Sequence, residues 1–163
     1  MIAFKKATTF FDFEVIEGLA YTIWRAHYTA IIGKAQVDYM LQKFQSSKAI
    51  QQQTLEGYHY YTIHFETKAI GYFAIKQDDN NLFLSKLYIL KAKRGNGFGK
   101  QAMVYIETIA KSWNCNSISL TVNKENTNAI KTYNTLGFEN LGALVMPIGN
   151  GFVMDDFKML KHI

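Results

Sequence analysis

The stretch Arg94-Gly95-Asn96-Gly97-Phe98-Gly99-Lys100 constrains this chain more than any other. It stands between an apolar, strand-like run from Leu82 to Leu90 and an amphipathic, helix-like run that opens near Phe98. Three glycines in five residues let backbone N–H groups crowd round an anion with no Cβ in the way. The helix that follows turns its unpaired first-turn N–H groups and the positive end of its dipole to the same spot. Lys91, Lys93, Arg94 and Lys100 surround it with positive charge. The segment reads as a cradle for phosphates.

A Walker-type loop would end in Gly-Lys-Ser/Thr, and Gly99-Lys100-Gln101 lacks the hydroxyl that holds magnesium. A dinucleotide fingerprint needs its third glycine where Lys100 stands, and an acidic residue near Cys115 to Leu120, where there is none. Arg94, Gly97 and Gly99 form Arg-x-x-Gly-x-Gly, which resembles the pyrophosphate loop of the GNAT acetyltransferase superfamily, whose ligand is acetyl-CoA. A second segment adds to this. From Val122 to Phe138 a strand ends and a helix begins, with Asn126 as its cap. Ala129, Ile130, Tyr133 and Leu136 share one face of that helix, and Gly137 stops it. The order Asn, Ala, Tyr, Gly-Phe resembles the other GNAT signature, in which the Tyr faces the CoA sulfur and the Asn contacts the pantetheine arm.

The rest of the chain fits a single domain over residues 1–163. With 48% hydrophobic residues it can bury a sizeable core without dividing. The expected order is a strand at Ile2–Lys6, a helix capped by Thr8 or Thr9 and running to about Ala30, and, separated from it by Gly33, a second helical segment through Phe44. A third helix follows over Ser47–Leu55, with its Gln-rich patch solvated. Strands are expected at Tyr58–Glu66, Ala69–Gln77, Leu82–Leu90, Ser117–Val122, Gly137–Met146 and Phe152–Leu160. The phosphate-loop helix puts Phe98, Ala102, Tyr105, Ile106 and Ile109 on one face. This is a mixed α/β domain of about seven strands, mostly antiparallel.

One cysteine, Cys115, excludes an internal disulfide framework. With no signal pattern and no membrane-length apolar run, the expected location is the cytoplasm. The net charge of +5 peaks at the glycine loop, which a CoA pyrophosphate explains, so nucleic acid is not an expected partner. His59 and His64 lie five apart in a strand and make no metal site.

The resemblance implies that acetyl-CoA lies in the gap between splayed, parallel strands four and five. Backbone groups of Leu87, Tyr88 and Ile89 then pair with the pantetheine amides, Arg94 to Lys100 hold the pyrophosphate, and Asn126 contacts the arm. Tyr133, with an ordinary phenol pKa of about 10, is protonated at neutral pH and suited to donate its proton to the departing thiolate. Ser85 and Ser119 lack any nucleophile elbow, so a neutral amine attacks the thioester directly. The base that deprotonates the amine is not legible. Tyr21, Trp24 and Tyr28 recur at helical spacing and form either core or an aromatic wall for an alkylammonium, with Trp24 and Tyr28 the substrate candidates. Residues 22–44 resemble the PaiA-type branch, linked to spermidine and spermine, so a small amine is the expected acceptor. A protein or peptide amine, a CoA-binding regulator without catalysis, and a homodimer all stay open.

Overall fold

The structure, a computed structural model, describes all 163 residues, Met1–Ile163. In chain order it contains β1 (Ile2–Lys6), α1 (Phe10–Ile32), α2 (Lys34–Gln45), α3 (Ser47–Leu55), β2 (His59–Phe65), β3 (Lys68–Asp78) and β4 (Asn81–Ile89). A 3-10 turn (Lys91–Lys93), α4 (Phe98–Ser112), β5 (Ser117–Asn123), α5 (Thr127–Thr135), β6 (Glu139–Gly149) and β7 (Phe152–His162) follow. The seven strands form one sheet in the order β1-β2-β3-β4-β5-β7-β6. β4 and β5 run parallel, while β1–β2, β2–β3, β5–β7 and β6–β7 are antiparallel. By packing the chain forms two compact units, Met1–Lys76 with Ser85–Ile106, and Gln77–Leu84 with Glu107–Ile163.

In the first unit, α1 starts with a capping box. Thr9 Oγ1 accepts from Asp12 N–H at 3.2 Å, and Asp12 Oδ2 accepts from the Thr8 and Thr9 amides at 2.9 and 3.0 Å. Burial pushes the Asp12 pKa up, but those amides and Lys5 outweigh it and bring it to about 2. The helix runs to Ile32, two residues beyond the expected end, and stops where Gly33 takes a φ of 85°. It buries Phe13, Ile16, Ala20, Ile23 and Trp24. Residues 70–75 of β3 are all buried, so this strand is covered on both faces. Across the sheet Phe73 stacks on Tyr61 at 4.8 Å, and Phe4 of β1 stacks on Tyr105 of α4 at 4.4 Å. Gly71 is a close-approach position, since a Cβ there would stand 2.2 Å from the Tyr88 carbonyl oxygen.

Two expectations need correction here. The Gln-rich end of α3 is not wholly solvated: Gln51 and Gln52 are exposed, but Gln53 turns inward to Tyr60 and Phe44. On α4 the buried stripe is Phe98, Ala102, Met103, Ile106 and Ala110, while Tyr105 and Ile109 sit half-buried at its margin. At that margin the Tyr105 ring lies against Phe4 of β1 and Tyr61 of β2.

In the second unit, Asn81–Leu84 pair with Ser117–Leu120. Asn81 clamps this junction, donating to Ser119 Oγ at 2.7 Å and accepting from Ser117 Oγ at 2.9 Å. Both buried hydroxyls are thereby satisfied. β6 and β7 are each longer than the sequence suggests and meet at Asn150-Gly151, with φ values of 53° and 78°. Two successive left-handed residues make the type I′ turn that suits strand twist.

Candidate functional site

The glycine loop is tied down by its own chain. Lys93 N–H bonds Leu90 C=O at 2.9 Å and Arg94 N–H bonds Lys91 C=O at 3.2 Å, closing a turn in which Ala92 sits. Asn96 folds its amide onto the Lys93 carbonyl at 3.0 Å, and Arg94 Nε donates to the Ile89 carbonyl at 3.1 Å. Phe98 is buried against Phe65, ring centres 4.9 Å apart, which anchors the far end of the loop.

The three glycines answer to different demands. Gly95 and Gly97 hold φ values of 80° and 77°, a region where side-chain-bearing residues are strained. Gly99 lies within α4, and a Cβ there would meet no atom within 4 Å. Nothing in the chain requires glycine at 99, so its bare backbone leaves room for a ligand. Gln101 N–H is the first in α4 to reach a carbonyl four residues back, at Gly97 and 3.1 Å. The amides of Phe98, Gly99 and Lys100 precede it, and the glycine before the helix has no side chain to cap them. Arg94, Lys91 and Lys100 are exposed around this point.

In the second unit Asn126 is buried, and its Oδ1 accepts from Ala129 N–H at 3.4 Å, as expected for a cap. Residues 129, 130, 133 and 136 are the half-buried side of an otherwise exposed helix. α5 ends in a full Schellman motif: Phe138 N–H bonds Tyr133 C=O at 3.0 Å, and Gly137 N–H bonds Asn134 C=O at 3.1 Å. The accompanying apolar contact is Tyr133 on Phe138, ring centres 5.5 Å apart.

With this geometry in view, comparison with known proteins is decisive. The sequence profile described as Acetyltransferase (GNAT) family matches residues 20–138, well over half the chain. The chain belongs to the GNAT acetyltransferase family. An uncharacterised N-acetyltransferase of Mycobacterium tuberculosis is 31% identical over 103 residues, covering 63% of this chain and 65% of that protein. The alignment thus spans just under two thirds of that relative's length. Among solved structures, the PaiA N-acetyltransferase of Thermoplasma acidophilum in complex with coenzyme A matches with a TM-score of 0.82 at 20% identity, over 100% of this chain and 99% of that one. The ribosomal-protein-S18-alanine N-acetyltransferase of Escherichia coli matches with a TM-score of 0.75 at 16% identity, over 100% and 94% of the two chains. At these identities the likeness is one of fold, and the mixed seven-stranded sheet with its parallel β4–β5 pair is the GNAT fold.

Within this GNAT fold the aromatic residues of α1 divide. Trp24 is 5% exposed and donates its indole N–H to the Tyr72 hydroxyl at 3.0 Å, so it is a core residue. Tyr28 is half-buried, and its hydroxyl meets that of Tyr88 at 3.1 Å. Tyr21 leaves the cluster for Arg25, whose guanidinium lies 5.0 Å from its ring centre. Of the three β4 residues named from sequence, Ile89 gives its carbonyl to Arg94, and Tyr88 presses its carbonyl against Gly71. No group of three His, Cys, Asp or Glu lies together, and no helix is long and apolar enough to cross a membrane.

Sequence reasoning missed Lys86. Leu82, Leu84, Lys86 and Tyr88 alternate onto one face of β4. Lys86 is half-buried, and the packing round its amine pushes its pKa down to about 7. A lysine in the inward phase of a strand was the available signal. Two hydrogen-bond chains run through this cluster and end on one carbonyl. Trp24 Nε1 donates to Tyr72, Tyr72 to Gln45 Oε1 at 2.7 Å, and Gln45 Nε2 to Phe44 C=O at 2.9 Å. Lys86 Nζ donates to Tyr60 at 3.0 Å, Tyr60 to Gln53 Oε1 at 2.5 Å, and Gln53 Nε2 to the same Phe44 C=O at 2.8 Å.

Proposed function

We propose that residues 1–163 act as one acetyl-CoA-dependent N-acetyltransferase domain that transfers the acetyl group to a primary amine. The observation that carries this reading is Gly99, a glycine with no internal purpose at the open start of α4, within a chain of the GNAT family. Arg94 to Lys100 would hold the pyrophosphate, backbone groups of Leu87 to Ile89 the pantetheine amides, and Asn126 the arm. No metal enters this scheme.

The amine nitrogen attacks the thioester carbon, a C–N bond forms, and the C–S bond breaks. Tyr133 gives its phenolic proton to the leaving sulfur, and a backbone N–H near Leu87 stabilises the oxyanion. Direct attack is supported by the state of the other nucleophiles. Burial pushes the Cys115 thiol pKa up, and Ser119 is engaged by Asn81. Tyr28, half-buried beside Tyr88, is the aromatic residue of α1 best placed to meet an alkylammonium. The fold likeness to a PaiA enzyme supports a small amine, and that to the S18-alanine enzyme keeps a peptide amine as the second reading. The proposed setting is the cytoplasm.

The test is acetyl-CoA binding and amine-dependent thiol release, with n-butylamine, 1,4-diaminobutane, spermidine and an alanine-terminated peptide. Wild type should bind acetyl-CoA and release thiol only when an acceptor is present. Gly97→Val should lose binding, because valine both strains a left-handed backbone and blocks its approach to phosphate. Unchanged acetyl-CoA affinity in a folded Gly97→Val protein would sink the loop assignment.

A further inference from the structure

We propose that Lys86, its Nζ held on the Tyr60 hydroxyl and on the same face of β4 as Tyr88, is the general base that takes the proton from the acceptor ammonium. This rests on the acetyltransferase reading and names the group that reading leaves open.

Hydrogen-bond direction fixes what Lys86 can offer. The Phe44 carbonyl can only accept, so Gln53 must turn its NH2 toward it and leave Oε1 for Tyr60. Oε1 can only accept, so the Tyr60 proton is committed to Gln53. The Tyr60 oxygen can then only accept from Lys86. Lys86 therefore spends an N–H on Tyr60 and never its lone pair. In the neutral form that lone pair is left for another proton.

The charges around Lys86 point the same way. None of the ion pairs of this protein includes it. In its own unit Asp12 is taken by Lys5, Asp38 by Arg25 and Lys34, and Glu17 by the Ser47 amide, while Glu14, Glu56 and Glu66 make no ion pair with Lys86. The titratable groups of the cluster are phenols: Tyr28 on α1, Tyr60 on β2, Tyr72 on β3 and Tyr88 on β4, with His27 packed against Tyr28. Burial raises the pKa of Tyr60 and of Tyr72, so neither becomes a counter-anion at neutral pH. Lys86 thus has no carboxylate to hold its charge, and burial lowers its own pKa to about 7. An amine of that kind exchanges protons readily at physiological pH.

The proton count balances. The acceptor RNH3+ gives one proton to neutral Lys86 and becomes RNH2. Its lone pair forms the C–N bond as the C–S bond breaks. Tyr133 protonates the sulfur and recovers a proton from the attacking nitrogen. Lys86 then releases its proton to water, so each turnover yields amide, thiol and one proton. Lys86 immediately precedes Leu87 to Ile89, the segment proposed for the thioester arm, and shares its face with the half-buried Tyr88 and its neighbour Tyr28.

The experiment uses the full chain with acetyl-CoA and n-butylamine, followed from pH 5.5 to 9.5. Wild type should show kcat/KM rising through an apparent pKa near 7, the value to which burial brings Lys86. Lys86→Arg keeps the charge and the donor but cannot deprotonate. It should lose that limb and drop kcat by roughly 10²–10⁴-fold with acetyl-CoA affinity unchanged, the usual range for general base catalysis. Lys86→Met should behave alike. An active Lys86→Arg with the wild-type pH limb would reduce Lys86 to a fixed charge and overturn this inference alone. A wild type that acetylates no amine in the panel would overturn the acetyltransferase reading and this inference with it. Should both variants fail to fold, NMR titration of wild type with ε-13C-labelled lysine still decides. One lysine with a midpoint near 7 is expected, and a full set titrating above about 9.5 would overturn the proposal.

Discussion

Two helices begin near the signature motifs, and they begin in opposite ways. α5 caps itself: Asn126 is buried, and its side chain takes the Ala129 amide. α4 opens after Gly97, which has no side chain to offer, and the next glycine in the helix stands in open space. A self-capped helix start is a structural joint, because its donors are consumed. An uncapped one among exposed cations is the proposed socket, because its donors and dipole are left for an anion. The contrast implies that changes at α4 act first on ligand binding, and changes at α5 on stability, on chemistry or on the arm contact proposed for Asn126.

The sharpest way to break that contrast is Tyr133→Phe on α5. It keeps the ring on Phe138 and removes the hydroxyl, and should lower kcat by roughly 10²–10⁴-fold while leaving acetyl-CoA affinity intact. Pre-steady-state measurement of the transfer step checks this, and a wild-type rate would make the tyrosine a packing residue. Next in size is Arg94→Ala, which should weaken acetyl-CoA binding by about 1.5–3 kcal/mol, the range for hydrogen bonds to charged groups. Calorimetry with CoA and with dephospho-CoA checks it, since a loss shared by both places Arg94 on the pyrophosphate.

Asn126→Ala tests the joint itself. Removing a cap costs about 1 kcal/mol of stability, read as a lower denaturant midpoint at unchanged slope. An unaltered midpoint would show that the 3.4 Å bond contributes nothing. The smallest effect belongs to Gly99→Ala. Because no neighbour crowds that position, alanine should stabilise the free protein by up to about 1 kcal/mol through helix propensity. A destabilised Gly99→Ala would mean the chain itself needs the glycine, and the socket would lose its clearest mark.

What the sequence revealed was mostly local. Caps, stops and glycine turns are written within a few residues, so a cap at Thr8 or Thr9, the stops at Gly33 and Gly137, the Asn126 cap and the boundaries of α3 could be read directly, and the structure chooses Thr9. Apolar runs likewise placed β4 and β5. The chain from Lys86 through Tyr60 and Gln53 to Phe44 could not be read, because it joins β4, β2, α3 and α2. Nothing local marks Gln53 as different from the exposed Gln51 and Gln52. The β2–β3 irregularity at Ile63/His64 was also invisible, since a register shift belongs to the pair of strands and not to either one.

The Schellman stop after α5 couples the proposed acid to a turn it never uses chemically. Tyr133 supplies both the carbonyl that Phe138 N–H closes upon and the ring that Phe138 touches. Its ring is therefore braced from behind by the turn that follows it. Gly137 makes that turn, with a φ of 97° and the Lys161 side chain 3.5 Å from where a Cβ would stand. An engineer seeking to retune turnover could work on the turn at 137–138, which touches the carbonyl and ring of the proposed acid and none of the residues proposed to hold acetyl-CoA.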